Sequence, residues 1–381
     1  MKILIAPDKF RDALSAIKVA NAIEEGIVLA SDQLSYCKAP LSDGGEGMLD
    51  ILQFRGIGQR IEVEVHDPLM RLIKTSYLYT ETEKTAYIEH AAASGLHLLE
   101  RKERNCMYTS SFGTGELILN AIKNGAQQIV LGLGGSAVND AGMGMAKALG
   151  YRFLNKNGNE LEPMGKNLIL IQKIDDISKI NIPPTVKFTI AADVQNPLFG
   201  NEGAAYQYAG QKGANKQEIK LLDKGLQNFH SVSEKKFGLK VNNIRGTGAS
   251  GGLGAAGVFF LKAKITSGIE TIMKLVDFEP LVQNSDLIVT AEGKIDNQTL
   301  QGKLIHGICQ IAKKYDKKVI ALCGTLKASP LVLKEIGLSY ATSILQEPMN
   351  LEKSMANTKG QIITTTENIF RFMKEFKLIE C

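Results

Sequence analysis

The stretch Ile3-Leu4-Ile5-Ala6-Pro7-Asp8-Lys9-Phe10-Arg11 carries the decision about fold. Its unbroken apolar run suits a strand covered on both faces, and the proline and aspartate end that run in a polar loop. Ser15 then stands as a cap for a helix whose Ile17, Ala20, Ile23 and Ile27 recur at helical spacing. A second strand, about Leu34 to Ala39, leads into Pro40-Leu41-Ser42-Asp43-Gly44-Gly45-Glu46-Gly47 and a helix through about Phe54. The same grammar returns late in the chain: a strand over Asp286 to Thr290, a helix over Thr299 to Lys314, a strand over Val319 to Cys323 and another around Tyr340 to Ile344. Such β-α-β units require one parallel sheet.

Between them the texture changes. Arg60 to Val65, Ile73 to Tyr79 and Thr85 to Glu89 alternate apolar and polar residues like antiparallel strands, and the region beyond mixes short strands with glycine-rich turns. The expected architecture is α/β with two domains. A Rossmann- or flavodoxin-like parallel-sheet domain, residues 1–58 and 284–381, is interrupted by a second, mixed α/β domain, residues 59–283. A chain of 381 residues has ample core for either one large domain or two.

The 45 Lys and Arg against 40 Asp and Glu leave a net charge of +5, with the two signs interleaved and no basic run, which argues against nucleic acid and leaves an anionic small molecule as a compatible ligand. Five cysteines, widely spaced and without a C-x-x-C pair, argue against disulfides and zinc and for a reducing, cytoplasmic setting. No signal peptide is expected, and the longest apolar run, Gly252 to Leu261, is too short to span a bilayer. Asn297-Gln298-Thr299 therefore reads as a coincidental sequon.

Glycine is the compositional excess, at 37 residues, and it is concentrated in a few loops. In Ile129-Val-Leu-Gly132-Leu-Gly134-Gly135-Ser136-Ala-Val-Asn139-Asp140-Ala-Gly142 a strand passes through a tight turn into a helix. Such a turn can aim backbone amides and a helix N-terminus at a phosphate, or can simply be a turn. It satisfies G-x-G-x-x-A, yet no acid stands some twenty residues on, after Leu154, where a dinucleotide's ribose would need one. Gly246-Thr-Gly248-Ala-Ser-Gly251 is a full G-x-G-x-x-G, but Val241 to Arg245 is a poor strand before it. Its continuation, Gly252-Leu-Gly254-Ala-Ala-Gly257, reads equally as a helix closely packed by small residues.

Acidic residues recur just after predicted parallel strands, where α/β sheets bind ligands. Asp8, Asp43 and the run Ala291-Glu292-Gly293-Lys294-Ile295-Asp296 would share one sheet edge, and Asp193 follows the strand Phe188 to Ala192. Carboxylates with lysine among them suit Mg²⁺ and phosphate, because the metal wants oxygen ligands and developing charge wants a cation. Gln211-Lys212-Gly213 adds a basic loop. No G-x-x-x-x-G-K-[ST] and no H-E-x-x-H occurs, and Gly248-Ala-Ser250-Gly-Gly252 fits a hydrolase elbow only formally. The histidines show no metal spacing; His90, beside Glu89, is the one to watch.

Taken in order, the segments resemble the bacterial glycerate kinase family of the first type. The resemblance rests on Asp43-Gly-Gly-Glu-Gly47, Ala91-Ala-Ala-Ser94-Gly-Leu96, Gly113-Thr-Gly-Glu-Leu117, Gly132-Leu-Gly-Gly-Ser136-Ala-Val-Asn139-Asp140, Asp193-Val-Gln-Asn196-Pro-Leu198, Gln211-Lys-Gly-Ala214 and Glu292-Gly-Lys-Ile-Asp296. It implies ATP-dependent phosphorylation of D-glycerate, at the 2-hydroxyl in preference to the 3-hydroxyl, with an active site in the cleft between two domains. Departures fall at Lys9 (usually Ser), Arg11 (Lys), Met70 (Gly), His90 (Met), Gly210 (Pro) and Lys294 (often Arg).

Within that resemblance, ATP phosphates are expected at Gly134, Gly135, Ser136 and Asn139, with Gly248 and Gly251 contributing. Glycerate is expected among Asp8, Lys9, Arg11, Ser94, Asn196 and Lys212, and Mg²⁺ at Asp43 and Glu292. Catalysis falls to Asp193 as first choice of base, Asp296 as second, and Lys294. The alternatives are a kinase for another small hydroxy acid, a nicotinamide-dependent oxidoreductase, and a non-catalytic sugar-acid binding protein.

Overall fold

The computed structural model describes residues 1–297 and 304–378. The chain divides into two compact units: unit 1 is Met1–Asp43, Asp50–Arg55 and Ile269–Cys381, and unit 2 is Gly44–Leu49 and Gly56–Gly268. The return to unit 1 falls at Ile269, before the expected Asn284. The short helices Gly268–Leu275 and Phe278–Gln283 account for the difference. Tyr315 donates its hydroxyl to Glu279 at 2.7 Å, and a Cβ on Gly307 would lie 3.1 Å from Ile269, so these helices pack on the late β-α-β units.

Unit 1 holds a five-stranded sheet of β1 (Lys2–Ile5), β2 (Ser35–Lys38), β11 (Leu287–Ile295), β12 (Lys318–Leu326) and β13 (Tyr340–Ser343), all parallel, in the order β13-β12-β11-β1-β2. Read from β2 this is the flavodoxin-like order, in which the connections reverse direction between β1 and β11. Ser15 caps helix Ala16–Ala30 as its sequence suggests. That helix lies so close to helix Thr358–Glu375 that a Cβ on Gly26 would meet Ile363 O at 2.6 Å. The core between sheet and helices includes Ile3, Ile5, Ile23, Val289, Leu322 and Phe370.

β11 is longer than its apolar run. Glu292-Gly-Lys-Ile295 is strand and not loop, because β12 also extends and supplies ladder partners up to Ile295–Leu326. The expected helix start at Thr299 lies outside the described residues, within which the helix runs Leu304–Lys314.

Unit 2 holds a six-stranded sheet of β3 (Gln59–His66), β4 (Leu72–Thr80), β5 (Thr85–Glu89), β6 (Gln128–Gly132), β9 (Lys187–Ala191) and β10 (Lys264–Thr266), in the order β10-β9-β6-β5-β4-β3. The alternating segments pair antiparallel as β3-β4 and β4-β5, and from β5 to β10 the sheet is parallel. A hairpin of β7 (Arg152–Leu154) and β8 (Lys173–Asp175) stands apart. Phe153, Phe229, Phe237, Phe259 and Phe260 form an aromatic cluster in its core, with Tyr151 tilted 4.8 Å from Phe260. Among the described residues no helix is long and apolar enough to cross a membrane.

Candidate active-site residues

In unit 1 the acidic residues gather where β1 and β11 part. The ladder continues past β1 through Ala6 N to Val289 O and Asp8 N to Ala291 O, both 2.8 Å, which fixes Asp8 beside the β11 extension. Burial pushes the Asp8 carboxyl well above its ordinary range, and the charges of Asp43 and Glu292 push it further. Asp8 therefore stands near both other carboxylates. Among the described residues, however, no group of His, Cys, Asp and Glu forms a ready-made metal cage. Lys9 donates its backbone N–H to Asp8 at 2.7 Å, while Arg11 is exposed. Glu292 and Lys294 share one face by strand alternation, and Lys294 reaches Asp296, just past the strand end, at 2.6 Å. Lys294 is thus an ion-pair partner as well as a cation at this edge.

In unit 2 every expected residue that follows a strand lies at the carboxyl end of the parallel strands. Asp193 follows β9 and accepts the hydroxyl of Ser267, which follows β10, at 3.0 Å. The glycine turn follows β6 and is braced on both sides. Leu96 N donates to Gly135 O at 2.7 Å and Ala137 N to Ser94 O at 2.9 Å, so the Ala91–Ser94 segment holds it. On its other side a Cβ at Gly134 would stand 2.7 Å from Gly45 Cα, and only glycine permits that approach. Gly251 has φ +67° and lies against Val138 O, within a left-handed run from Ser250 to Gly252. Gly248 packs on Pro197 O and donates to Asn196 O at 3.0 Å.

The polar groups under this turn divide into satisfied and unsatisfied. Asp140 is buried and accepts Ser111 N, Ser111 Oγ, Gly142 N and Gly144 N, all within 3.1 Å; it organises the helix start. Asn139, 0% exposed, has neither Nδ2 nor Oδ1 hydrogen-bonded. An orphaned buried amide is costly, and a ligand edge would offset that cost. Lys212, expected on a basic loop at the substrate, is 4% exposed and donates to Val138 O at 2.7 Å; burial lowers its ammonium to about 8. Asn196 spends its amide on Glu202 O and its carbonyl on the Tyr208 hydroxyl, which makes it a brace for its own loop. Ser94 is buried and bonded to Thr114 at 2.9 Å.

A profile of the glycerate kinase family matches residues 3–374. The chain belongs to the glycerate kinase family. It is 39% identical over 370 residues to a glycerate kinase of Halalkalibacterium halodurans, covering 96% of this chain and 97% of that one. It is 38% identical over 372 residues to a glycerate 2-kinase of Escherichia coli, covering 97% of each. A crystal structure of a protein assigned as glycerate kinase 2 from Salmonella typhimurium LT2 superimposes with a TM-score of 0.82 at 36% identity, covering 100% of both chains. Sequence reading missed Thr114, Ser111 and Ser267, whose hydroxyls hold His90, Asp140 and Asp193. The G-T-G-E-L segment flagged Thr114's neighbourhood, but no spacing rule marks a buried hydroxyl as a partner.

Proposed function

We propose that this glycerate kinase family member transfers the terminal phosphoryl group of ATP to the 2-hydroxyl of D-glycerate, releasing ADP and 2-phosphoglycerate. The kinship across nearly the whole chain carries the reading, and the name of the Escherichia coli relative favours the 2-hydroxyl. In phosphoryl transfer the protein works mainly by positioning and by stabilising charge. The Gly134-Gly135-Ser136 turn would receive the phosphates, with the Asn139 amide at hand and the Lys212 charge beneath. Gly248 and Gly251 would let the neighbouring loop approach. Lys9 and Arg11 would meet the glycerate carboxylate.

Asp193, oriented by Ser267, would accept the proton of the attacking hydroxyl as the new oxygen–phosphorus bond forms and the bond to ADP breaks. Asp296, paired with Lys294, is the second candidate. Mg²⁺, when bound, would neutralise the phosphate oxygens. Asp43 and Glu292, next to Asp8, suit it: crowded carboxylates favour a cation, and Mg²⁺ keeps several waters, so one or two protein carboxylates suffice. On this reading the enzyme works in the cytoplasm, where ATP is supplied and the thiols of Cys37, Cys106, Cys309 and Cys323 stay reduced.

A coupled ADP-release assay over a panel of small hydroxy acids tests this. ADP release that requires D-glycerate and Mg²⁺ is expected. Equal rates with and without D-glycerate, or a nicotinamide-dependent absorbance change instead, would overturn it.

A further inference from the structure

His90 is buried, follows β5, and departs from the methionine of the family resemblance. Its ring joins the helix Phe112–Lys123 to the glycine turn: Nδ1 lies 2.8 Å from Thr114 Oγ1 and Nε2 lies 3.0 Å from Ser136 Oγ. Ser94 Oγ completes the row, 2.9 Å from Thr114 Oγ1. The row holds four protons for three bonds, so its direction depends on which end keeps the spare one; Ser94 is 0% exposed and Ser136 8%, which places it at Ser136. Ser94 is fully buried and its hydroxyl has Thr114 as its one side-chain partner, so it donates there. Thr114 then accepts from Ser94 and donates its single proton to Nδ1. Burial, with the Lys212 charge nearby, holds the imidazole at about 3, so the ring is neutral at physiological pH and carries one proton. With Nδ1 accepting, that proton is on Nε2 and is donated to Ser136 Oγ. The same oxygen also takes Val138 N–H at 3.2 Å. Ser136 therefore receives two donors, and its own proton is the one left in the row without an acceptor.

We infer that His90 is a positioning residue, the pivot of a directed row Ser94→Thr114→His90→Ser136 that presents the Ser136 hydroxyl as a preset donor to an anionic oxygen of phosphate class. This rests on the reading of the Gly134–Ser136 turn as the phosphate site. The fold itself fixes the row, so the orientation of the Ser136 hydroxyl is settled on folding and is not charged against binding.

Asparagine and glutamine separate the two ring nitrogens, since Gln carries its N–H near the Nε2 position and Asn near the Nδ1 position. In steady-state kinetics, His90→Asn and His90→Met are expected to raise KM for ATP about fivefold to tenfold, the worth of one oriented hydrogen bond. Their KM for glycerate stays within twofold of the parent's, and His90→Gln keeps KM for ATP within about twofold as well. Ser136→Ala serves as the reference. If it leaves KM for ATP unchanged, the phosphate reading of the turn fails and this inference fails with it. If it raises KM while all three His90 variants match the parent, the role of His90 alone is overturned. Nitrogen-15 spectra of the ring in the unaltered protein need no variant to fold: protonated Nε2 with bare Nδ1 is expected, and the opposite tautomer overturns the row.

Discussion

Asp193 and Lys212 show how environment assigns a role to a residue that composition leaves open. Asp193 sits at a strand end with a hydroxyl from the next strand end holding one of its oxygens, an arrangement that orients a carboxylate without neutralising it. Asp193→Asn is expected to lower kcat by about two to four orders of magnitude, the usual worth of a positioned base, with an unchanged circular dichroism spectrum. Turnover near the parent value would remove it as the base. Lys212 is buried with its ammonium lowered to about 8, so it is charged below that pH and neutral above it. ATP affinity should therefore fall as pH rises through about 8, and a Lys212→Met variant should show lower affinity and a flatter profile over the same range. A parent KM for ATP that is constant from pH 7 to 9 would count against a charge beneath the turn. Sequence showed Gln211-Lys212-Gly213 as a basic loop and left open whether it met an anion or solvent; its burial, with the ammonium on the carbonyl of Val138, comes from residues far away in sequence.

At the scale of elements, the strands with alternating or continuous apolar runs were legible to within a residue or two, as β3, β4 and β5 show. The extension of β11 was not. Glu292-Gly-Lys-Ile295 has the composition of a turn, and only the matching extension of β12 turns it into a strand. Local propensity lost there to tertiary pairing. The glycine turn was legible as a turn, and its strictness comes from what touches it. Gly134→Ala would drive a Cβ to 2.7 Å from Gly45 Cα, backbone that cannot rotate away. The variant is expected to lose about 1–3 kcal/mol of stability by denaturant unfolding and to bind ATP more weakly. Parent-like values for both would show that the two loops can part freely.

Across the whole molecule, the two units have separate cores and separate sets of polar groups. Unit 1 holds the crowded carboxylates, and unit 2 holds the braced turn, the orphaned amide and Asp193. The stability of the chain against acid should reflect the buried imidazole. His90 is lowered from 6.5 to about 3 on folding, so below pH 6.5 the unfolded chain binds the extra proton and the folded one does not. Its contribution is complete above 6.5 and is lost progressively toward 3. The melting temperature should fall over that window, and less steeply in His90→Gln; identical slopes would contradict it. The central claim is tested most directly by identifying the product. Incubated with ATP, Mg²⁺ and D-glycerate, the protein should yield ADP and 2-phosphoglycerate in equal amounts by phosphorus-31 and carbon-13 spectroscopy. Phosphate found on the 3-hydroxyl would contradict the position assigned here, and intact ATP beside unmodified glycerate would contradict the activity itself.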